Sequence, residues 1–177
     1  KVRSAARLRD ALFGPFSSEK DTNAYRLLNG EGDGIEGFTV DAYAGFLVVQ
    51  VLGKGALPSA PLLEEALEEV LRPRGLKGMV RKLRHLQEER GRIAGDTVRG
   101  EKPPGALTVL ENGIPFEVEL LGGFHTGLFA DMREEHARLR HLARGRRVLN
   151  TFAYTGAFSV AAALGGAVEV TSVDVVA

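Results

Sequence analysis

The stretch from residue 148 to residue 174, VLNTFAYTGAFSVAAALGGAVEVTSVD, constrains the fold of this chain more than any other. Its first two residues end an apolar strand, a mixed connection follows, and Gly156 opens a helix of small side chains. Residues 168–173 form the next strand, and Asp174 stands at its carboxyl end. This order predicts the start of a doubly wound α/β domain, in which ligands bind outside the carboxyl ends of the strands.

The position of Asp174 suggests an adenosine ligand. A carboxylate at the end of the second strand can accept hydrogen bonds from both ribose hydroxyls. Asp174 lies 24 positions after Asn150 and 18 after Gly156, close to the spacing of about 20 residues expected for that role. The alternative is an ordinary strand–helix–strand unit without a ligand, since carboxylates are also common in turns.

The loop before the helix favours one adenosine ligand over another. An NAD site requires three glycines, so that the backbone can contact the pyrophosphate. Only Gly156 is in place here, and Phe152 and Tyr154 crowd the loop. S-adenosylmethionine has no pyrophosphate, and its amino acid end can meet polar groups such as Asn150 and Thr155. The residues indicate S-adenosylmethionine, with a nicotinamide-dependent oxidoreductase as the rival interpretation.

A second glycine-rich stretch, GDGIEG at residues 32–37, matches the letters of a nucleotide-binding fingerprint. That fingerprint works only where it opens a helix, whose N-terminal N–H groups face a phosphate. Here the strand FTVDAY follows instead. We therefore interpret these glycines as turn residues.

The first part of the chain predicts a mixed α/β domain. The runs FTVDAY and FLVVQVL predict one hairpin, and LTVLENGIPFEVELL predicts another with Asn-Gly as its turn. Residues 61–72 predict an amphipathic helix, and KGMVRKL can be a strand. Residues 132–144 predict a helix that Asp131 and Glu134 would cap as a capping box.

Composition limits the possible functions. The 177 residues carry 23 basic and 23 acidic side chains and no cysteine. Balanced charge means that a nucleic acid or membrane partner needs a local patch. Without cysteine, these residues hold no disulfide framework, cysteine-based zinc site or cysteine nucleophile. No apolar run approaches the roughly 18 residues of a membrane span, and no signal peptide begins the chain. These observations predict a cytoplasmic protein without membrane contact.

Two groups of side chains have both a functional and an ordinary interpretation. Residues 72–92 contain eight basic side chains and only two acidic ones, which favours a phosphate-contact surface over a solvated face. The eight residues of this basic cluster are Arg72, Arg74, Lys77, Arg81, Lys82, Arg84, Arg90 and Arg92. His136 and His141 lie five positions apart, not the four that point two ligands of one helix at one metal. We therefore expect no metal site.

Three blocks of the chain resemble one family, in the family's order. AYRLLNGEGDGIEGFTVDAYAGFLVVQ (residues 24–50) resembles the start of its central domain. HTGLFADMREEH (residues 125–136) resembles its block K-T-G-x-[FY]-x-D-Q-R-x-x-R, and residues 148–174 resemble its cofactor motif V-L-N-x-F-[SA]-Y-T-G-[GA]-F. The family is the class I S-adenosylmethionine-dependent ribosomal RNA large-subunit methyltransferases, the 5-methylcytosine family.

The resemblance implies an order of domains. The family has an RNA-binding PUA domain, a central α/β domain and a Rossmann-like methyltransferase domain. We expect a fragment: a mixed α/β central domain that faces RNA at residues 1–120, then at residues 121–177 the first strand, helix and strand of the Rossmann-like domain. The implied partner is large-subunit ribosomal RNA, and the implied cofactor is S-adenosylmethionine.

The resemblance also implies the residues of the cofactor site. Those that would line the cofactor are Asn150, Phe152, Tyr154, Thr155 and Gly156, with Asp174 on the ribose, and the neighbouring wall would be Thr126, Gly127, Asp131 and Arg133. The chain departs from the family block at His125, Met132 and His136, where the family has Lys, Gln and Arg.

Methylation of cytosine C5 requires a residue that these 177 do not contain. A cysteine thiolate adds to C6 and makes C5 nucleophilic before the methyl group is transferred. The chain has no cysteine, so we name no catalytic residue and expect no methylation by these residues alone. Methylation of another ribosomal RNA base, such as guanine at N7, would need no cysteine. A further alternative is a non-catalytic RNA-binding scaffold.

Overall fold

The computed structural model divides the chain into two compact units. It describes residues 1–16, 21–84, 95–123 and 125–175. The first unit runs from Lys1 to Thr126 and the second from Gly127 to Ala177. Both units combine helices and strands, which confirms the predicted α/β fold class. None of the helices in the described ranges is long and apolar enough to cross a membrane.

The first unit contains two helices and seven strands in the described residues. Their bounds are α1 Val2–Phe13, β1 Ala24–Asn29, β2 Phe38–Tyr43, β3 Phe46–Val51, α2 Ala60–Leu71, β4 Gly78–Leu83, β5 Asp96–Gly100, β6 Leu107–Glu111 and β7 Ile114–Val118. Strands β1 to β5 form one sheet in chain order, and β6 pairs with β7 in a separate hairpin. Only β3 and β4 pair in parallel in the five-stranded sheet, because α2 carries the chain from the end of β3 back to the start of β4.

Both predicted hairpins are confirmed, and their turns explain the strand pairing. Ala44 and Gly45 have φ angles of 47° and 92°, and Asn112 and Gly113 have φ angles of 50° and 76°. Two consecutive residues with positive φ match the twist of antiparallel strands in a tight turn. The strand predicted from KGMVRKL is also confirmed, as β4.

The core of the first unit lies where α1 and α2 meet the sheet. Leu63, Leu67 and Leu71 lie on one stripe of α2 and are buried, as the spacing of the predicted helix requires. Val49 and Met79 from the sheet belong to the same apolar cluster. Each Å² of apolar surface removed from water contributes about 25 cal/mol to the free energy of folding. The contact of these helices with the sheet therefore stabilises the first unit.

The glycine-rich stretch at residues 32–37 is a turn, as predicted. Its first residues belong to a 3₁₀ turn, and β2 follows. Arg9 of α1 holds Asp33 of this turn by two hydrogen bonds of 2.8 and 2.7 Å, and Asp33 also accepts the backbone N–H of Asn29 at 2.7 Å. Burial acts to raise the pKa of Asp33, but the bonds from Arg9 and Asn29 hold that pKa below its ordinary value. The acidic residue of this stretch thus anchors a helix to a turn.

The second unit contains the predicted strand–helix–strand run. Its elements are α3 Arg133–Leu142, β8 Arg147–Thr151, α4 Ala157–Leu164 and β9 Glu169–Val173. β8 and β9 pair in parallel from Arg147↔Glu169 to Thr151↔Val173. A parallel pair joined by a helix is the repeating unit of doubly wound sheets, so this part of the prediction is confirmed.

The predicted capping box of α3 is wrong. The helix begins at Arg133 with Met132 as its N-cap residue, and it has no side-chain capping hydrogen bond. Asp131 instead lies inside a 3₁₀ turn, Ala130–Met132, that precedes the helix. Because the chain already coils before α3 starts, Asp131 does not have the extended backbone that an N-cap residue needs.

The helix α4 lies against one side of the β8–β9 sheet. Ser159 of α4 contacts Asn150 and Ser172, and alternate strand residues face opposite sides of a sheet. Leu149 and Val173 point away from α4 and remain 65% and 51% exposed. Leu149 and Val173 therefore lie exposed on the face of the sheet opposite α4, where Arg147 and Glu169 form an ion pair.

Candidate functional site

The loop after β8 has an unusual backbone conformation. Phe152 and Tyr154 have φ angles of 60° and 51°, and Gly156 has a φ of 87°. Side chains other than glycine rarely adopt positive φ, and each such residue stores of order 1–3 kcal/mol of strain. Strain of this kind persists where surrounding contacts hold it, and it is common in ligand-binding loops. The loop that the sequence singled out is thus also the strained part of the second unit.

Asp174 holds this loop in place from the end of β9. Its Oδ2 accepts the backbone N–H of Tyr154 at 2.6 Å, and its Oδ1 accepts the N–H of Val175 at 2.7 Å. A carboxylate has about four acceptor positions on its two oxygens. Asp174 thus stands at the carboxyl end of β9, where a carboxylate can accept the hydroxyls of a ribose. The structure brings together two predicted site residues that are 20 positions apart.

Asn150 makes a contact that the sequence analysis missed. Its Nδ2 donates to the Oγ of Ser159 at 2.9 Å, and Ser159 shares a 2.6 Å hydrogen bond with the hydroxyl of Ser172. This network links β8, α4 and β9 directly below the loop. The only sequence signal for it was two serines among otherwise apolar or small residues, which a spacing rule does not assign to a partner.

Thr155 ties the loop to the start of the second unit. Its Oγ1 donates to the carbonyl oxygen of Gly127 at 2.7 Å. The ring centroids of Tyr154 and Phe129 lie 5.2 Å apart, with the planes tilted by 48°. Burial raises the pKa of Tyr154, while a hydrogen bond with the Gly127 backbone acts to lower it. Gly127, predicted as part of the neighbouring wall, therefore lies beside the loop.

Gly156 leaves space for a ligand next to the backbone. A β-carbon placed on this residue would meet nothing within 4 Å. Gly156 is also the N-cap residue of α4, so the first N–H groups of that helix lie behind this space. An open backbone surface beside a carboxylate suits a nucleoside ligand with a polar tail, and these residues therefore fit S-adenosylmethionine.

The other predicted site residues fall in different places. Asp131 is exposed, and Arg133 donates to Glu134 at 2.9 Å. Thr126 belongs to the first unit, where its hydroxyl shares a 2.9 Å hydrogen bond with the hydroxyl of Tyr43. His136, one of the departures from the family block, is buried in α3 and packs edge-on against Phe158, so it is part of the core.

A cleft of about 590 Å³ lies beside β8. Its walls include Glu135 and Arg138 of α3 and three residues from the end of β8 onward, Asn150 to Phe152. The volume is in the range of small-molecule pockets. Asp174 does not line it, so the cleft is not the expected position of a ribose, although Asn150 and Phe152 border it.

Three arginines of the basic cluster in the first unit form ion pairs. Arg72, Arg74 and Arg81 each pair with a carboxylate, at 2.8, 2.8 and 2.6 Å. Arg90 and Arg92 lie outside the described residues. The charge of these three arginines is partly compensated within the protein, and a phosphate-contact surface in this cluster stays a prediction.

Lys82 of the same cluster is buried. Its Nζ donates to the carbonyl oxygens of Gly122 and Gly123 at 3.0 and 3.3 Å. Burial lowers the pKa of Lys82 to about 8, although Glu119 acts in the opposite direction. This lysine holds a turn of the chain and does not present its charge to solvent.

In the parts of the chain that the structure describes, no group of three metal-ligating side chains converges.

Comparison with known proteins identifies relatives over nearly the whole chain. The family model of S-adenosylmethionine-dependent methyltransferases matches residues 25–177. A protein from Bacillus subtilis (strain 168), described as a ribosomal RNA large-subunit methyltransferase, is 43% identical over 99% of the chain. A ribosomal RNA large-subunit methyltransferase from Deinococcus radiodurans is 38% identical over 99% of the chain. The chain spans 43% of the length of both relatives.

A solved structure supports the same assignment. It is described as a methyltransferase complexed with S-adenosylhomocysteine, has 34% sequence identity and a TM-score of 0.84, and covers 98% of this chain and 43% of its own. The cofactor prediction of S-adenosylmethionine, made against NAD, is confirmed at the level of the family. The family match runs through both units, and the second unit has the strained loop and the strand-end carboxylate described above. The chain therefore belongs to the S-adenosylmethionine-dependent methyltransferase family.

Proposed function

We propose that the protein methylates a base of large-subunit ribosomal RNA with S-adenosylmethionine, and that the base is cytosine, modified at C5. The family match and the two relatives described as ribosomal RNA large-subunit methyltransferases support the reaction and the substrate. The observation that carries the proposal is the Asp174 carboxylate, which stands at the carboxyl end of β9 and braces the strained loop.

In this proposal each residue of the loop has a separate task. Asp174 accepts the ribose hydroxyls, and the open backbone at Gly156 lets the cofactor approach closely. Asn150 and Thr155 orient the amino acid end, and Phe152 and Tyr154 line the cofactor. When bound, S-adenosylmethionine supplies a methyl group on a positively charged sulfonium.

Four further residues complete the proposed wall of the site. Gly127, Asp131 and Arg133 belong to the second unit, and Thr126 immediately precedes it. Gly127 is supported by its hydrogen bond with Thr155. The role of the other three rests on the resemblance of residues 125–136 to the family block.

The choice of cytosine C5 also rests on that resemblance. The reaction requires a cysteine thiolate, and none of the 177 residues is cysteine, so the nucleophile would have to come from elsewhere in the gene product. The same proposal includes an RNA-binding PUA domain and a cytoplasmic location. Guanine N7, whose methylation needs no cysteine, is the second candidate base.

Transfer of a labelled methyl group to unmodified large-subunit ribosomal RNA tests the proposal. The full-length gene product is incubated with labelled S-adenosylmethionine, with small-subunit ribosomal RNA as the control, and the RNA is digested to nucleosides. We expect 5-methylcytidine from the large-subunit RNA alone. Label in 7-methylguanosine would replace the cytosine assignment, and cofactor binding without any transfer would indicate an RNA-binding scaffold.

A further inference from the structure

Two aromatic rings form an exposed pair beside the loop that Asp174 braces. Phe129 and Tyr154 are 40% and 47% exposed, and their ring centroids lie 5.2 Å apart. Exposed aromatic rings cost solvation free energy and often mark a binding surface. Both residues lie in the second unit, and Phe129 directly precedes the 3₁₀ turn Ala130–Met132.

Hydrogen bonds hold the backbone at Tyr154 and two residues before Phe129. The backbone N–H of Tyr154 donates to Asp174, which holds this residue at a φ of 51°. Two residues before Phe129, the carbonyl oxygen of Gly127 accepts the hydroxyl of Thr155. A backbone held in this way lowers the conformational entropy that is lost when the rings bind a ligand.

The covalent structure of the cofactor places its sulfonium charge near the ring pair. In S-adenosylmethionine the sulfonium is joined to the ribose through one carbon. A ribose on Asp174 therefore keeps the sulfonium within a short reach of Tyr154, whose backbone contacts the same carboxylate. Arg133, the nearest cation in sequence to the pair, donates to Glu134, so its charge is partly compensated.

We propose that the rings of Phe129 and Tyr154 receive the sulfonium end of the cofactor and make the site prefer S-adenosylmethionine to S-adenosylhomocysteine. The inference rests on the proposed cofactor site. The face of an aromatic ring attracts a cation through its quadrupole. S-adenosylhomocysteine, the product of methyl transfer, has a neutral thioether in place of the sulfonium and lacks this attraction. The pair would thus favour exchange of the product for fresh cofactor.

Calorimetric titration of both ligands tests the inference without any catalytic step. In the full-length protein, Phe129→Leu removes the ring but keeps apolar bulk, and Phe129→Tyr keeps a ring. We expect Phe129→Leu to weaken S-adenosylmethionine binding by about three- to tenfold, with less than about twofold change for S-adenosylhomocysteine. Phe129→Tyr should keep the wild-type ratio of the two affinities. Met132→Leu, an exposed apolar change in the adjacent turn, is the matched control and should also keep it.

Three results would overturn the inference in distinguishable ways. Equal weakening of both ligands in Phe129→Leu would show that the ring only packs in the site. An unchanged ratio of affinities in both Phe129→Leu and Tyr154→Leu would show that neither ring senses the charge. Either result leaves the proposed function intact. If the wild-type protein binds neither ligand, the cofactor site itself is wrong and the inference falls with it.

Discussion

At the scale of single residues, the loop after β8 has a strained backbone that sets the positions of its side chains. Phe152 is 80% exposed and has a φ of 60°, so it gains little from burial while its backbone is strained. A residue that contributes so little to folding is expected where function requires its side chain. The strain therefore gives a prediction that separates the effect of the backbone conformation on stability from the effect of losing the side chain.

We predict that Phe152→Gly is more stable than Phe152→Ala by about 1 kcal/mol. Both changes remove the ring, but only glycine adopts a positive φ without strain. Urea denaturation of the two variants measures the difference in the free energy of unfolding. Equal stability of the two variants would show that residue 152 does not have a positive φ in solution.

Lys82 gives a prediction about pH. Its pKa is about 8 in the folded protein and ordinarily 10.5. Between these values the unfolded chain binds more protons, so the free energy of unfolding rises with pH by up to about 1.4 kcal/mol per unit. Below a pH of about 8 both states are protonated, and Lys82 adds no pH dependence.

The measurement is the free energy of unfolding of the wild-type protein minus that of Lys82→Met from pH 7 to pH 10. The difference should be flat at first and then shift in favour of the wild type above a pH of about 8. The subtraction removes titrations common to both proteins. A difference that stays constant over the whole range would mean that Lys82 keeps an ordinary pKa.

Sequence reasoning located residues at this scale better than it assigned their partners. The positions of Asp174 and Tyr154 followed from the motif, and the structure joins them. The bond from Asn150 to Ser159 did not follow, because a motif gives positions along the chain but not which side chain fills the space below a loop. Whether the ten predicted residues bind the cofactor stays a prediction.

At the scale of elements, the shorter of two ion pairs between α2 and the sheet joins Arg81 to Glu64. Arg81 of β4 donates two hydrogen bonds of 2.6 and 2.7 Å to Glu64 of α2, and the side chain of Glu64 is only 2% exposed. The bonds to Glu64 act to raise the pKa of Arg81, and burial acts to lower it; the pKa lies above its ordinary value. Loss of Glu64 would leave a partly buried guanidinium without this carboxylate.

We predict that Glu64→Ala lowers the free energy of unfolding by about 2–3 kcal/mol. Glu65→Ala, an exposed neighbour on the same helix, should change it by less than about 0.5 kcal/mol. Chemical denaturation of both variants provides the comparison. The double variant Glu64→Leu with Arg81→Met should recover part of the loss, and similar small effects of Glu64→Ala and Glu65→Ala would show that the pair does not support the fold.

The elements that could be predicted have a strong hydrophobic periodicity or a turn signal in the sequence. The amphipathic α2, both hairpins and the β8–α4–β9 run have such signals, and all are present. Strand β5 was not predicted, since DTVRG is short and its residues are half-buried or exposed, which leaves no alternation to detect. The capping box failed because a 3₁₀ turn before α3 is a tertiary feature that its residue types do not specify.

At the scale of the whole molecule, family membership extends across two separate units. The family model begins at residue 25 and runs to residue 177, whereas the compact units meet at Thr126 and Gly127. The five-stranded sheet of the first unit has its own core. The two-stranded sheet of the second leaves Leu149 and Val173 exposed, and two strands alone are marginally stable in water. The candidate site lies at the carboxyl end of this second sheet.

The measurement that tests the account most directly is calorimetric titration of S-adenosylhomocysteine, with NAD in parallel, into the full-length protein and its Asp174→Ala variant. Glu169→Ala is the matched control, because it removes an exposed carboxylate from the same strand. We predict that S-adenosylhomocysteine binds the wild type and Glu169→Ala alike and that NAD does not bind. Asp174→Ala should bind about a hundredfold more weakly, as expected for the loss of two charge-assisted hydrogen bonds. Binding of NAD, or equal binding of S-adenosylhomocysteine by Asp174→Ala and the wild type, would contradict the account.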